Sequence, residues 1–194
     1  MMARRGLLVW LASTTRRFAR DRKGVGAIEF AIIFPVLIML YLGAFEITIG
    51  LSVSKRTTRA AGAIADIITQ QQNVTKSSLA DIAKAAPAIF APYDSSDLSL
   101  KVTAIQIDGS ANPTVLWSWA PSGTAPYAKN SAVSGVPTEM KKANSFLIRT
   151  ELSTPYTLFV FAPDFMPSGM RTITISRSYF YRQRQNDNIP CGDC

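Results

Sequence analysis

From Phe30 to Phe45 the chain carries no charged side chain, and one glutamate stands at each end, Glu29 and Glu46. Counted from Val25 to Val53 with both glutamates included, the run exceeds the about 20 apolar residues that cross the hydrocarbon core of a bilayer. A stretch of this kind has few places to go in a small protein, and it is read as a single membrane span. Arg16, Arg17, Arg20, Arg22 and Lys23 lie just in front of it with only Asp21 against them. Basic residues on one flank hold that flank in the cytoplasm. Residues after about 54 are then outside the cytoplasm.

The same stretch carries a second signal in its spacing. A basic leader ends in Gly24, and Glu29 follows five residues later at the edge of the apolar run. This is the pattern of a prepilin peptidase substrate. The step Arg22-Lys23-Gly24-Val25, then Ile28-Glu29-Phe30-Ala31, Pro35 and Gly43-Ala44-Phe45-Glu46, resembles the TadE-like pseudopilins of tight-adherence (Flp-type) pilus systems. The resemblance implies that a membrane peptidase cuts between Gly24 and Val25. It also implies that the product is a minor subunit or assembly factor, carried into a pilus or acting beside it. Its partners would be the prepilin peptidase, other pilus or pseudopilin subunits and the tight-adherence secretion machinery. By analogy with type IV pilins, cleavage frees an amine at Val25 one helical turn from Glu29, and Glu29 would pair with such an amine on a neighbouring subunit.

The formal charge of +8 raises the question of nucleic acid, and the distribution of that charge answers it. Residues 1–24 hold seven of the 21 basic side chains against Asp21 alone, whereas the chain from residue 50 onward is only mildly basic. The excess is a topology signal with some attraction to anionic head groups, and no nucleic-acid partner is expected. Leu7 to Ala12 is too short to span and lacks a small-residue cleavage site after it, so it is read as a short amphipathic helix on the inner membrane surface.

Beyond the span a helical period continues, with Ala60, Ile64, Ile67 and Ile68 on one face, and the helix is expected to end near Gln72. Ser78 and Asp81 have the form of a capping box for a second helix, which should stop at Ala86 before Pro87. From Tyr93 the period becomes two. Leu98, Leu100, Val102 and Ala104 alternate, and Ile105 and Ile107 take the opposite parity, which implies a bulge or burial on both faces. Val115, Trp117 and Trp119 form one face of a partner strand, residues 120–137 an exposed loop, Phe146 to Leu152 a third strand broken by Pro155, and Thr172 to Tyr181 a fourth. Arg177 falls on the apolar parity of that last strand and needs a sheet edge or a packed stem to explain it.

The expected class is α+β: a long N-terminal transmembrane helix continuing outside the membrane and packed on a small antiparallel sheet of about four strands. Its divisions are a cytoplasmic leader over 1–24, a span over 25–53, a helical region over 54–92, and a sheet domain over 93–194. The order of segments around Ile105, Val115, Phe146 and Pro155-Tyr156 also resembles the outer domain of TadE-like proteins.

Catalytic chemistry has little to work with. The chain has no histidine, which removes histidine-based triads and most zinc sites. Its carboxylates are scattered and no phosphate or calcium loop is present, so neither an enzyme, a cofactor nor a bound metal is expected. Trp117, Trp119, Tyr156, Phe159 and Phe161 fit a core better than a binding surface. Cys191 and Cys194 close the sequence; outside the cytoplasm a disulfide is the default, within the tail or to another chain. The competing reading of the whole is an unprocessed single-span envelope protein whose outer domain binds a partner or envelope material.

Overall fold

The computed structural model describes residues 24–158, 171–183 and 187–194. The basic leader before Gly24, the segment Leu7 to Ala12, and Phe159 and Phe161 lie outside the described residues. The class is α+β: helix α1 (Val25–Thr69), short helices α2 (Lys76–Ala83) and α3 (Ala85–Phe90), strands β1 (Ser99–Ile107) and β2 (Pro113–Trp119), then β3 (Ser145–Thr157) and β4 (Thr172–Arg182). The chain divides into two compact units, Met1–Phe45 and Glu46–Cys194.

In the first unit the described residues are helical, and the helix runs on through Pro35. Its side chains are exposed almost throughout, Ile32 and Met39 at 68% and Tyr41 at 71%. Among the described residues α1 is the one helix long and apolar enough to cross a membrane.

The second unit opens with the remainder of α1, which turns from exposed to packed. Ala60, Ala61, Ile64, Ala65 and Ile68 are fully buried at three- and four-residue spacing. Ala61 and Ala65 replace Ile67, which is only half-buried, because small side chains let the helix approach the sheet. The helix stops at Thr69, three residues before the expected Gln72. Gln70 and Gln71 donate their N–H groups to the carbonyls of Ile67 and Ile68, three residues back, tightening the last turn.

Helix α2 is capped one turn earlier than expected. Thr75 is the cap, the Ser78 N–H donates to Thr75 Oγ1 at 3.2 Å, and the Thr75 N–H donates to Ser78 Oγ at 2.8 Å. Ser78 thus fills the third helical position of the box, and Asp81 has no part in it. Pro87 does not end the helical region either. It falls in the first turn of α3, where its missing N–H would have no helical partner.

The sheet is antiparallel in the order β2-β1-β3-β4. β1 is central and buried on both faces. Leu100, Val102 and Ala104 meet α1 together with Ile148 and Leu152, while Ile105, Ile107 and Leu147 face the other way. The bulge sits on the partner strand. Ala104 pairs with Trp117 and Ile105 with Val115, which leaves Leu116 as the extra residue. Val115 therefore belongs to the second cluster and Trp117 and Trp119 to the first, so the expected single face of β2 is divided.

Residues 120–137 are not simply an exposed loop. Val133 and Val136 are buried over the second face, and the segment folds back on the β2 edge, with the Val115 N–H donating to Ser131 and the Asn130 N–H to Val115. An edge strand left bare would be a template for unwanted pairing, and this return covers it. β3 likewise continues past Pro155. Its pairing with β1 ends at Ser153, so from there one side of β3 is open and a residue without an N–H can be accommodated.

The C-terminal segment is part of the core. Ile189 is fully buried, its carbonyl accepts from the Trp117 indole N–H at 2.7 Å, and Val74 exchanges hydrogen bonds with Pro190 and Gly192 at 3.0 and 3.1 Å. Ile189→Ala is therefore expected to destabilise the outer unit by about 2–5 kcal/mol. Urea unfolding of the full chain in detergent, followed by tryptophan fluorescence, measures this; an unchanged midpoint would mean that the tail contributes nothing to the fold.

Candidate functional site

The residues singled out by the sequence fall in both units. Gly24, Val25 and Glu29 belong to the first. Val25 is the first residue of α1, and Glu29, four residues on, lies on the same face one turn away. Gly24 and Glu29 are exposed, and Val25 is half exposed. A Cβ added at Gly24 would meet nothing within 4 Å. No packing among the described residues thus demands glycine there.

Cys191 and Cys194 belong to the second unit and are bonded to each other. With Asp193 they form a cluster of metal-ligand types, but sulfurs joined in a disulfide offer no thiolate to a metal. Asp193 instead holds backbone: its Oδ1 accepts from the Lys76 N–H at 2.8 Å, at the start of α2. The disulfide closes a segment that ties the α1–α2 connection to β2.

Sequence reasoning leaves Glu46 as an interfacial residue without a role. It is 5% exposed, and the Tyr156 hydroxyl donates to its Oε1 at 2.5 Å. Burial, and then the bond to Glu46, push the Tyr156 hydroxyl far above its ordinary pKa of 10.0. A glutamate at the end of an apolar run is visible in a sequence; its partner 110 residues away is not. One helical stretch further, Arg177 is explained: its Nε and Nη2 donate to Ser54 Oγ at 3.1 and 2.7 Å. Between these two clasps lies a groove of about 530 Å³ lined by Ile47, Gly50 and Leu51 of α1 and by Leu158, Ile173 and Ile175 of the sheet.

A second polar group sits on the far face. Arg149, 8% exposed, pairs with Glu151 at 3.2 Å and lies over the Tyr127 ring, and the Tyr127 hydroxyl donates to the same Glu151 oxygen at 2.9 Å. Burial, then the Glu151 bond, raise the Tyr127 pKa. The arrangement pins the 120–137 segment to β3 and exposes no nucleophile.

Both raised tyrosines have a consequence for pH. Their protonated forms are held in the folded state, so their contribution is complete below the unfolded pKa of about 10 and is lost as pH rises beyond it. Tyr156→Phe is expected to cost about 1–3 kcal/mol at neutral pH, where it removes a donor from the buried Glu46 carboxyl. It should also flatten the loss of stability above pH of about 10. Denaturant titrations of both proteins across that range measure the two effects; identical alkaline slopes would contradict the assignment.

Residues 24–66 match the family model described as TadE-like protein. No curated protein and no solved structure gives a match. The matched stretch begins at Gly24, contains Glu29 and Glu46, and ends within the buried ridge of α1, so over residues 24–66 the chain is similar to TadE-like proteins.

Proposed function

We propose that this protein is a pseudopilin-like minor subunit or assembly factor of a tight-adherence pilus, processed between Gly24 and Val25 and anchored by residues 25–45. The observation that carries the reading is the exposed apolar helix directly behind an unencumbered Gly24, with Glu29 one turn from the residue that cleavage would expose. The TadE-like match covers these same positions and supports a role in pilus assembly.

Residues 25–45 suffice for the span, because about 20 apolar residues cross the hydrocarbon core. Glu46, where the second unit begins, then stands at the outer membrane face of that span. The positive charge before Gly24 favours a cytoplasmic N-terminus, and a disulfide at the other end suits an oxidising compartment. Together they support an inner-membrane protein with its sheet unit in the periplasm. The work done there is non-enzymatic: packing of the anchor against other subunits, and contacts of the outer unit with assembly machinery.

After cleavage, a carboxylate at position 29 without a partner would be costly in lipid, by about 2.5–3.5 kcal/mol at a helix centre and less near the surface. An amine at Val25 of a neighbouring subunit would offset that cost. Gly24→Val is accordingly expected to leave a longer, membrane-bound chain that keeps its leader. Glu29→Val should be inserted and trimmed but should fail to co-purify with pilus components. Mass spectrometry of the extracted chain and affinity capture of the assembly separate the two variants. Trimming of Gly24→Val to Val25 together with normal assembly of Glu29→Val would overturn the proposal.

Orientation is tested with a reporter active only outside the cytoplasm, joined after Cys194 so that Ile189 stays in the core. Activity of that fusion is expected; activity of a cytoplasm-only reporter at the same point would reverse the topology.

A further inference from the structure

We infer that the groove between α1 and β4 holds a phospholipid of the outer leaflet, with an acyl chain against Ile47, Leu51 and Ile173 and the phosphate at Arg177. The inference rests on the membrane anchoring proposed above. Among the described residues of the second unit, the exposed large apolar side chains are Ile47, Leu51, Ile173 and Tyr179. All but Tyr179 line this one groove, so the exposed apolar surface of the described residues of the unit is concentrated there.

The groove is graded along its length. At one end the Tyr156 hydroxyl bonds Glu46, and Tyr156 is the strand partner of Ile173. At the other, four residues along β4 from Ile173, Arg177 reaches Ser54. Ile47 lies directly after the exposed apolar run that ends at Phe45, and Ser54 is about 10 Å further along the helix at 1.5 Å per residue. Apolar lining thus begins where the span leaves the hydrocarbon core, and the cation stands on the watery side. An acyl chain capped by a phosphate has this same order.

Among the described residues, charge argues against a carboxylate as the partner of Arg177. Among the described residues none lies within ion-pair distance of it. Its guanidinium bonds a hydroxyl and a backbone carbonyl and keeps donors for a phosphate, the anion its planar fork suits. The groove volume, about 530 Å³, falls within the range of small-molecule sites and accommodates part of a lipid rather than all of it.

The test uses the full chain reconstituted in vesicles containing a phospholipid with a photoactivatable group near the top of its acyl chain. After irradiation and digestion, adducts are expected on residues 47–54 and 171–177 as well as on 25–45. Native mass spectrometry from mild detergent should show a retained phospholipid on the wild-type chain, reduced at least several-fold in Arg177→Gln and in Ile173→Asp. Ile173 is half exposed, so its variant keeps the fold if the Arg177 variant does not; tryptophan fluorescence verifies this. Adducts confined to 25–45, or equal lipid retention in a folded Ile173→Asp protein, would overturn the groove site while leaving the anchor in place. Absence of adducts even on 25–45 would overturn the anchor and this site with it.

Discussion

At the step from Phe45 to Glu46 helix α1 changes what it has to satisfy. Before it, large apolar side chains stand exposed turn after turn; at it, a carboxyl is withdrawn from water and receives the Tyr156 hydroxyl. A buried carboxyl without a donor would be costly, by several kcal/mol if charged. The Tyr156 contact thus joins the start of the second unit to the far end of β3, which is held in the long register with β4 that runs past Pro155. The two-faced sheet, the covering return of 120–137 and the buried tail all belong to the unit that this contact opens.

Within that unit stability is distributed over a small area. β1 and β3 are buried on both faces, one by α1 and the other by Val133 and Val136. Ile189 fills the remaining space beneath Trp117, and the Cys191–Cys194 disulfide locks the segment beyond it. The start of the short helix α2 is held by the same tail, since its first free N–H is taken by Asp193.

Features encoded locally were legible in the sequence. The apolar run, the Gly24 to Glu29 spacing, the ridge at Ala60, Ile64 and Ile68, and the parity change between Ala104 and Ile105 each need only a few neighbouring residues. Features that depend on a distant partner were not. Val115 and Trp117 share a parity in sequence and part company because Leu116 is left out of the register with β1. Pro155 stays in its strand because β1 has already ended. Ser78-Asp81 and Thr75-Ser78 offer competing caps three residues apart, and the geometry of the chain entering from Val74 selects Thr75. Val133 and Val136 stand alone among Ser, Gly, Pro and Ala, so their burial leaves no periodic trace. Of the candidate site, the Gly24 to Glu29 spacing on which the proposed processing rests is a local pattern, whereas the Glu46–Tyr156 and Ser54–Arg177 clasps span more than a hundred residues and were not visible.

The central proposal is that the chain is cut between Gly24 and Val25 and that its exposed apolar helix is then used in an assembly. Its most direct test is the N-terminus of the natural chain extracted from cell envelopes, read by intact mass and confirmed by N-terminal sequencing. A chain that begins at Val25 is expected. A chain that retains the Arg- and Lys-rich residues in front of Gly24 in cells assembling the pilus would contradict the claim.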